Sequence, residues 1–172
     1  MTGVNDNVDD NTIAYTIATA PAISVDPQYS LLKASDVSLS NIDNDTAGIT
    51  VSAISGNTTE AGGTASFTIV LNSQPTANVG IALSTDTTEG TISSNSLTFT
   101  SANWNTPQVV TVTGVDDTVI DGNISYTIIT DTASSADQLY NGLQAADVSL
   151  LNIDNDQASA GNQLLYLALI QR

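Results

Sequence analysis

The chain of 172 residues contains no cysteine and no histidine. These absences exclude disulfides, thiol catalysis, most zinc sites and catalytic triads with a histidine base. Only Lys33 and Arg172 are basic, against 18 acidic residues, so the net charge is −16. The longest apolar run, Leu164–Ile170, is far shorter than the roughly 20 residues that cross a bilayer. We therefore expect neither a nucleic-acid partner nor a membrane span.

Glutamate is also scarce, because Glu60 and Glu89 are the only two and every other acid is aspartate. Aspartate is short, favours turns and suits metal-binding loops that use oxygen ligands. The remaining residues are rich in Thr, Ser, Val, Ile, Asn and Gly, a mixture that favours strands and turns over helices. The composition thus predicts an all-β protein with acidic loops.

The chain contains an internal repeat with an offset of 111 residues. Residues Thr2–Asp45 and Thr113–Asp156 are identical at 26 of 44 positions without a gap, and both copies end in "NIDND". We interpret residues 1–45 as the C-terminal part of a first unit and residues 46–156 as one complete unit. Residues 157–172 match no part of the unit and form an apolar tail.

Alternating apolar residues within the complete unit predict about seven strands and an immunoglobulin-like antiparallel β-sandwich. The predicted strands are Gly48–Ser55, Thr64–Leu71, Asn78–Ser84, Thr91–Thr100 with a possible break at Ser93–Asn95, Gln108–Gly114, Ile124–Thr130 and Asp147–Ile153. If these strands run alternately up and down, most acidic loops of the unit meet at one pole. The acids expected there are Glu60, Asp86, Asp116, Asp117, Asp121, Asp154 and Asp156.

Such a cluster of like charges is costly unless a cation lies within it, and the unit has no Lys or Arg. Oxygen ligands without His or Cys favour a hard cation, and flexible loops suit Ca²⁺ better than Mg²⁺. The cluster therefore predicts a calcium site. The alternative is that these acids are solvated turn residues.

Several segments together resemble Calx-beta repeats, a family found in sodium/calcium exchangers and in large bacterial surface proteins and adhesins. The segments are "TEAGGTASFTIVL", "LTFTSANWNTPQVVTVTGVDD", "GNISYTI" and the terminal "NIDND". The resemblance implies calcium at the loop end of an immunoglobulin-like sandwich, held by the acids named above. Asn155 departs from the all-acid terminal run of the exchanger modules, which suggests a structural site rather than a sensor of high affinity.

In the partial unit, four acids match the second half of such a site. They are Asp6, Asp10, Asp43 and Asp45. Residues 1–45 hold no counterpart of Glu60 or Asp86, so an ion there would need ligands from water, from Thr46 onward or from another molecule. Tyr15 and Tyr29 match Tyr126 and Tyr140 of the complete unit, and all four are predicted to be core residues.

The tail "NQLLYLALIQR" is apolar on both faces of a strand. Its apolar residues are Leu164, Leu165, Tyr166, Leu167, Ala168, Leu169 and Ile170. It could belong to the next element of a longer repeat array, or it could be donated as a strand to the incomplete first unit of a neighbouring molecule. A short amphipathic helix is a third possibility.

The sequence as a whole predicts a calcium-stabilised structural module on a bacterial cell surface, such as an adhesin stalk or a filament subunit. A calcium sensor or a carbohydrate-binding module is the alternative. Repeated acid pairs at the pole of each unit suggest structure rather than catalysis, so we do not expect an enzyme.

Overall fold

The computed structural model describes residues 2–158, and all regular secondary structure within that range is β-strand. The strands are β1 (Ile13–Ile17), β2 (Val37–Asn41), β3 (Ile49–Val51), β4 (Thr58–Thr59), β5 (Thr64–Leu71), β6 (Val79–Ser84), β7 (Gly90–Ile92), β8 (Ser96–Phe99), β9 (Gln108–Gly114), β10 (Ile124–Thr130), β11 (Ser134–Ser135) and β12 (Val148–Ile153). No helix capable of crossing a membrane occurs among these residues.

The complete unit is a sandwich of two sheets, as predicted. One sheet has the order β3-β5-β9-β7, and the other has the order β11-β6-β10-β12-β4, with β8 paired to β6. All pairings are antiparallel except that of β4 with β12, which is parallel. This all-β arrangement is consistent with an immunoglobulin-like fold.

Apolar side chains at alternate positions of the central strands point inward and form the core. In β5, for example, Ala65, Phe67, Ile69 and Leu71 are buried, whereas the residues between them are not. The inward residues of β6, β9, β10 and β12 complete one continuous apolar cluster, and Trp104 packs against its side. This single core fixes the register, because a shift by one residue would turn every buried side chain outward.

Three predicted strands have the observed bounds, one is divided into two, and another is shorter than predicted. The predicted strand Thr91–Thr100 breaks between β7 and β8, and the two halves pair in different sheets. The predicted strand Gly48–Ser55 is shorter than expected, since regular pairing ends at Val51. Beyond Val51, the hydroxyls of Ser52 and Ser55 accept hydrogen bonds of 2.9 Å each from backbone amides of β5. These side-chain hydrogen bonds replace regular strand pairing at this edge of the sheet.

Residues 2–45 contribute a two-stranded hairpin, β1–β2, and the loops around it. The prediction that Tyr15 and Tyr29 are core residues is wrong, because Tyr15 is 37% exposed and Tyr29 is 61% exposed. Their counterparts Tyr126 and Tyr140 are buried, since only the complete unit supplies a facing sheet. The predictions for the tail at Leu164–Ile170 lie outside the described residues.

Candidate metal centre

The parallel pairing of β4 with β12 brings distant acids together. Thr59 lies opposite Ile153 in this pairing, and the amide of Glu60 donates a hydrogen bond of 3.0 Å to the carbonyl of Ile153. Glu60 follows β4 directly, whereas Asp154 and Asp156 follow β12. The two strand ends therefore deliver three carboxylates to one pole of the sandwich.

One carboxylate oxygen from each of Glu60, Asp154 and Asp156 lies within 4.8 Å of the other two. Two ligands of one calcium ion lie at most about 5 Å apart, since each Ca–O bond is about 2.3–2.6 Å long. The three oxygens therefore have a spacing at which one ion could contact all of them. Glu60 is only 3% exposed, which is unusual for a carboxylate without a cationic partner.

Backbone amides already fix Asp154. Its Oδ1 accepts from the amide of Asp156 at 2.7 Å, and its Oδ2 accepts from the amide of Gly122 at 2.8 Å. In the same turn, Oε2 of Glu60 accepts from the amide of Asn155 at 3.1 Å. Oδ2 of Asp156, by contrast, is enclosed and has no hydrogen-bond partner. A buried carboxylate oxygen without a donor is costly, and a bound cation could serve as its partner.

The electrostatics of the pole favour a bound cation. The Asn155 amide lowers the pKa of Glu60, but burial and the charges of Asp154, Asp117 and Asp121 outweigh it, so the pKa is raised. The pKa of Asp156 is also raised, first by burial and then by the charge of Asp154 and the β9–β10 loop acids. Lys33 is the only basic residue among residues 2–158, and it pairs with Asp36 at 3.0 Å in the first unit.

The loop between β9 and β10 places its predicted acids around the three-carboxylate group. Oδ1 of Asp116 accepts a hydrogen bond of 3.1 Å from the side-chain amide of Asn155. Asp117 and Asp121 interact through their charges with both Glu60 and Asp156. These three acids lie close enough to interact with the group but do not belong to it.

Asp86 differs from the other predicted ligands. Its carboxylate accepts hydrogen bonds from the amide and the hydroxyl of Thr88, at 3.0 and 2.7 Å, and these bonds close its own turn. The hydrogen bonds from Thr88 also lower the pKa of Asp86. It is not one of the three carboxylates that meet.

The first unit forms a similar acidic loop cluster. Oδ2 of Asp43 accepts from the amides of Asp10 and Asn11 at 2.9 and 2.8 Å. Burial, followed by the charges of Asp43, Asp6, Asp9 and Asp10, raises the pKa of Asp45. A cleft of about 190 Å³ opens between these loops. Its lining includes Asn5, Asp6, Asp10, Asp43 and Asp45.

The sequence did not indicate a role for Asp9, which aligns with Ile120 in the repeat. Its Oδ2 accepts a hydrogen bond of 2.8 Å from the amide of Ala47, at the start of the second unit. Close by, the amide of Gln74 donates to the carbonyl of Asn7 at 2.7 Å. The acidic loops of the first unit therefore contact the second unit at the pole opposite Glu60, Asp154 and Asp156.

The sequence also did not indicate a buried polar layer beneath the three carboxylates. Asn152 is 1% exposed, and its side-chain amide donates to the carbonyl of Val115 at 2.9 Å. The hydroxyl of Thr58 lies 2.8 Å from that of Tyr126 and 3.2 Å from Oδ1 of Asn152. The recurrence of the same asparagine in both copies of "NIDND" was the signal that could have identified it.

The chain matches no known protein-family model, and no curated protein matches it either. The resemblance to Calx-beta repeats therefore stays a prediction. The function is therefore inferred from the geometry of Glu60, Asp154 and Asp156.

Proposed function

We propose that the protein is a calcium-stabilised structural module of an extracellular bacterial assembly, such as a stalk or a filament. The single observation that carries this proposal is the enclosed Oδ2 of Asp156. It has no hydrogen-bond partner and lies in a group with two other carboxylates. A hard divalent cation bound to Asp156, Asp154 and Glu60 would satisfy this oxygen and neutralise the pole. Asp116, Asp117, Asp121, water and backbone carbonyls are the further oxygen donors available to it.

Calcium fits this set better than other common cations. Zinc and copper favour nitrogen or sulfur ligands, which these loops lack. Magnesium demands a compact octahedron and keeps several waters, whereas calcium accepts six to eight oxygens in irregular geometry. Loops from three separate parts of the chain form such an irregular set.

The contacts between the units favour a structural role. Asp9 and Asn7 of the first acidic pole bond directly to backbone amides of the second unit. A cation among Asp6, Asp10, Asp43 and Asp45 would therefore stiffen the loops that join the two units. Repeated in tandem, such junctions would give an extended rod whose rigidity depends on calcium.

Thermal unfolding with calcium, with magnesium and with EDTA tests the proposal. Calcium at 100 times its dissociation constant should raise the melting temperature by roughly 5–10 °C, because it binds only the folded loops. Magnesium should do less. If calcium and EDTA give the same melting temperature, the proposal is wrong. A dissociation constant below the micromolar range would favour the sensor instead.

The variants Asp156→Asn and Asp131→Asn provide a matched pair. Both remove one carboxylate charge, but Asp131 is exposed in the loop after β10, away from the three-carboxylate group. Asp156→Asn should abolish most of the calcium-induced shift, whereas Asp131→Asn should retain it. Equal loss in both variants would indicate a nonspecific charge effect.

A further inference from the structure

One buried hydroxyl connects three strands beneath the acidic pole. Thr58 is the first residue of β4, and it is fully buried. Its hydroxyl donates to the carbonyl of Leu151 and to Oδ1 of Asn152, both in β12, at 3.2 Å each. The same hydroxyl lies 2.8 Å from that of Tyr126 in β10. A single side chain of β4 therefore contacts both β12 and β10.

The chemistry of these groups fixes the direction of their hydrogen bonds. The Leu151 carbonyl and Oδ1 of Asn152 can only accept, so the one hydrogen of the Thr58 hydroxyl points towards β12. The Tyr126 hydroxyl then donates its own hydrogen to Thr58. Loss of the Thr58 hydroxyl would therefore leave both Tyr126 and Asn152 without this buried partner, which is costly in the interior of a protein.

Asn152 extends the hydrogen bonds to the loop between β9 and β10. Its side-chain amide donates at 2.9 Å to the carbonyl of Val115, which immediately precedes Asp116. The first unit forms the same bond, since Asn41 donates to the carbonyl of Val4 at 2.7 Å. The bond between the end of the strand and this loop is therefore common to both units, and in the second unit the hydroxyl of β4 adds to it.

The position of Glu60 depends on how β4 is held. β4 pairs with β12 through two residue pairs only, Thr58 with Asn152 and Thr59 with Ile153. Glu60 follows directly, and its amide donates to the carbonyl of Ile153 at 3.0 Å. A displacement of β4 would therefore move the Glu60 carboxylate with it.

The other two carboxylates have firmer support. Asp154 and Asp156 follow β12, which has six residues and pairs with β10 over five of them. This regular pairing fixes the end of β12 without any contribution from β4. Among the three carboxylates that meet, Glu60 is thus the one whose place depends most on the side-chain hydrogen bonds of Thr58.

We propose that Thr58 is the positioning residue of the candidate calcium site. Its hydroxyl fixes β4 against β12, and so it holds the Glu60 carboxylate within reach of the ion that Asp154 and Asp156 would bind. This inference rests on the proposed function, because it names the residue that sets the calcium affinity of the same site. The affinity then depends on a buried hydroxyl as well as on the carboxylates.

Calorimetric titration of the full chain with calcium chloride tests this role in the variants Thr58→Val and Thr58→Ser. Valine has nearly the shape of threonine but no hydroxyl, whereas serine keeps the hydroxyl. Thr58→Val should weaken calcium binding by roughly 10- to 100-fold, which is the usual loss when a group that orients a metal ligand is removed. Thr58→Ser should restore most of the affinity.

Thr130→Val is the matched control. Thr130 is also a buried threonine, 1% exposed, and its hydroxyl donates to the carbonyl of Ala145 at 2.9 Å. It ends β10 at the opposite pole of the sandwich. The control removes the same atoms and should also destabilise the fold, yet it should leave the calcium affinity unchanged. Unchanged affinity in Thr58→Val, or an equal loss in Thr130→Val, would overturn the proposal.

Tyr126→Phe and Tyr140→Phe form a second matched pair, which serves if Thr58→Val does not fold. Tyr126 and Tyr140 are 5% and 1% exposed, so each variant removes a buried hydroxyl. The Tyr140 hydroxyl donates to the carbonyl of Ser73 at 2.6 Å, at the pole opposite the three carboxylates. Tyr126→Phe should weaken calcium binding and Tyr140→Phe should not. Equal affinities of these two variants would also overturn the proposal.

Amide hydrogen exchange in EDTA distinguishes failure of this proposal from failure of the proposed function. The amide of Glu60 should exchange roughly tenfold faster in Thr58→Val than in the unaltered chain, because a lost buried hydrogen bond lowers the cost of local opening. Thr130→Val should not change that rate. If the rates behave in this way but even the unaltered chain binds no calcium, Thr58 still positions Glu60 and the calcium proposal fails. If calcium binds equally to every variant and the rates do not differ, the role of Thr58 is refuted and the calcium proposal stands.

Discussion

Single residues beneath the acidic pole decide whether the carboxylates can meet. Gly114 ends β9, where the backbone lies close to Thr59 of β4. A Cβ there would overlap the carbonyl oxygen of Thr59 and lie 2.5 Å from Oδ1 of Asn152. The absence of a side chain thus lets β4 approach the buried Asn152, and β4 in turn places Glu60. We therefore expect that a residue without a side chain is needed at this position for the three carboxylates to meet.

Gly114→Ala should destabilise the protein by about 1–3 kcal/mol, because backbone must move to make room for the methyl group. It should also weaken calcium binding by displacing Glu60. Gly56→Ala is the control, since a Cβ there meets nothing within 4 Å. Chemical denaturation of both variants measures the change. Equal stability of the two would mean that β4 does not approach Gly114 as closely as described.

At the scale of elements, the repeated hairpin sequence lies in two different structural environments. β1–β2 and β10–β12 share register and local hydrogen bonds, which are set by nearby residues. Their burial differs because the covering strands come from residues 46–114, far away in the sequence. A hairpin alone is marginal in water, so the two copies should differ in stability even though they are alike in sequence.

Amide hydrogen exchange should reveal this difference. Amides paired within β1–β2 should exchange more than roughly a hundredfold faster than those within β10–β12, because local opening costs less than global unfolding. Equal protection of both hairpins would contradict this prediction.

The whole molecule is governed by an excess of negative charge. Glu60, Asp156 and Asp45 have raised pKa values, so without calcium the folded protein binds more protons than the unfolded chain above about pH 4. For such groups, stability falls as pH rises. On the proposed function, protons and calcium would be alternative ways of neutralising the same poles.

In EDTA, the melting temperature should therefore rise as the pH is lowered from 7 towards the raised pKa values of these three carboxyl groups. With calcium bound, the trend should reverse, because protons compete with the ion for the same oxygens. Below about pH 4, acids with lowered pKa values, such as Asp36, Asp43 and Asp86, should reduce stability again. Melts across this range with and without calcium would test the reversal, and parallel curves would contradict it.

The sequence by itself determined the all-β fold, most strand bounds and the pole at which the acids collect. These features follow from alternation and from turn residues, which act over a few positions. The repeat also indicated that Asp43 and Asp154 have equivalent places. Even the break near Ser93–Asn95 was visible as a cluster of polar residues within an otherwise alternating run.

Only the tertiary structure decided which acids share one site. The parallel pairing of two-residue β4 with β12 is too short to leave a pattern in the sequence, yet it joins Glu60 to Asp154 and Asp156. The same structure separates Asp86, adds Asp9 and exposes Tyr29. Each of these outcomes depends on which strands lie beside a residue, and contacts between residues about 90 positions apart are settled by packing of the whole core rather than by local sequence.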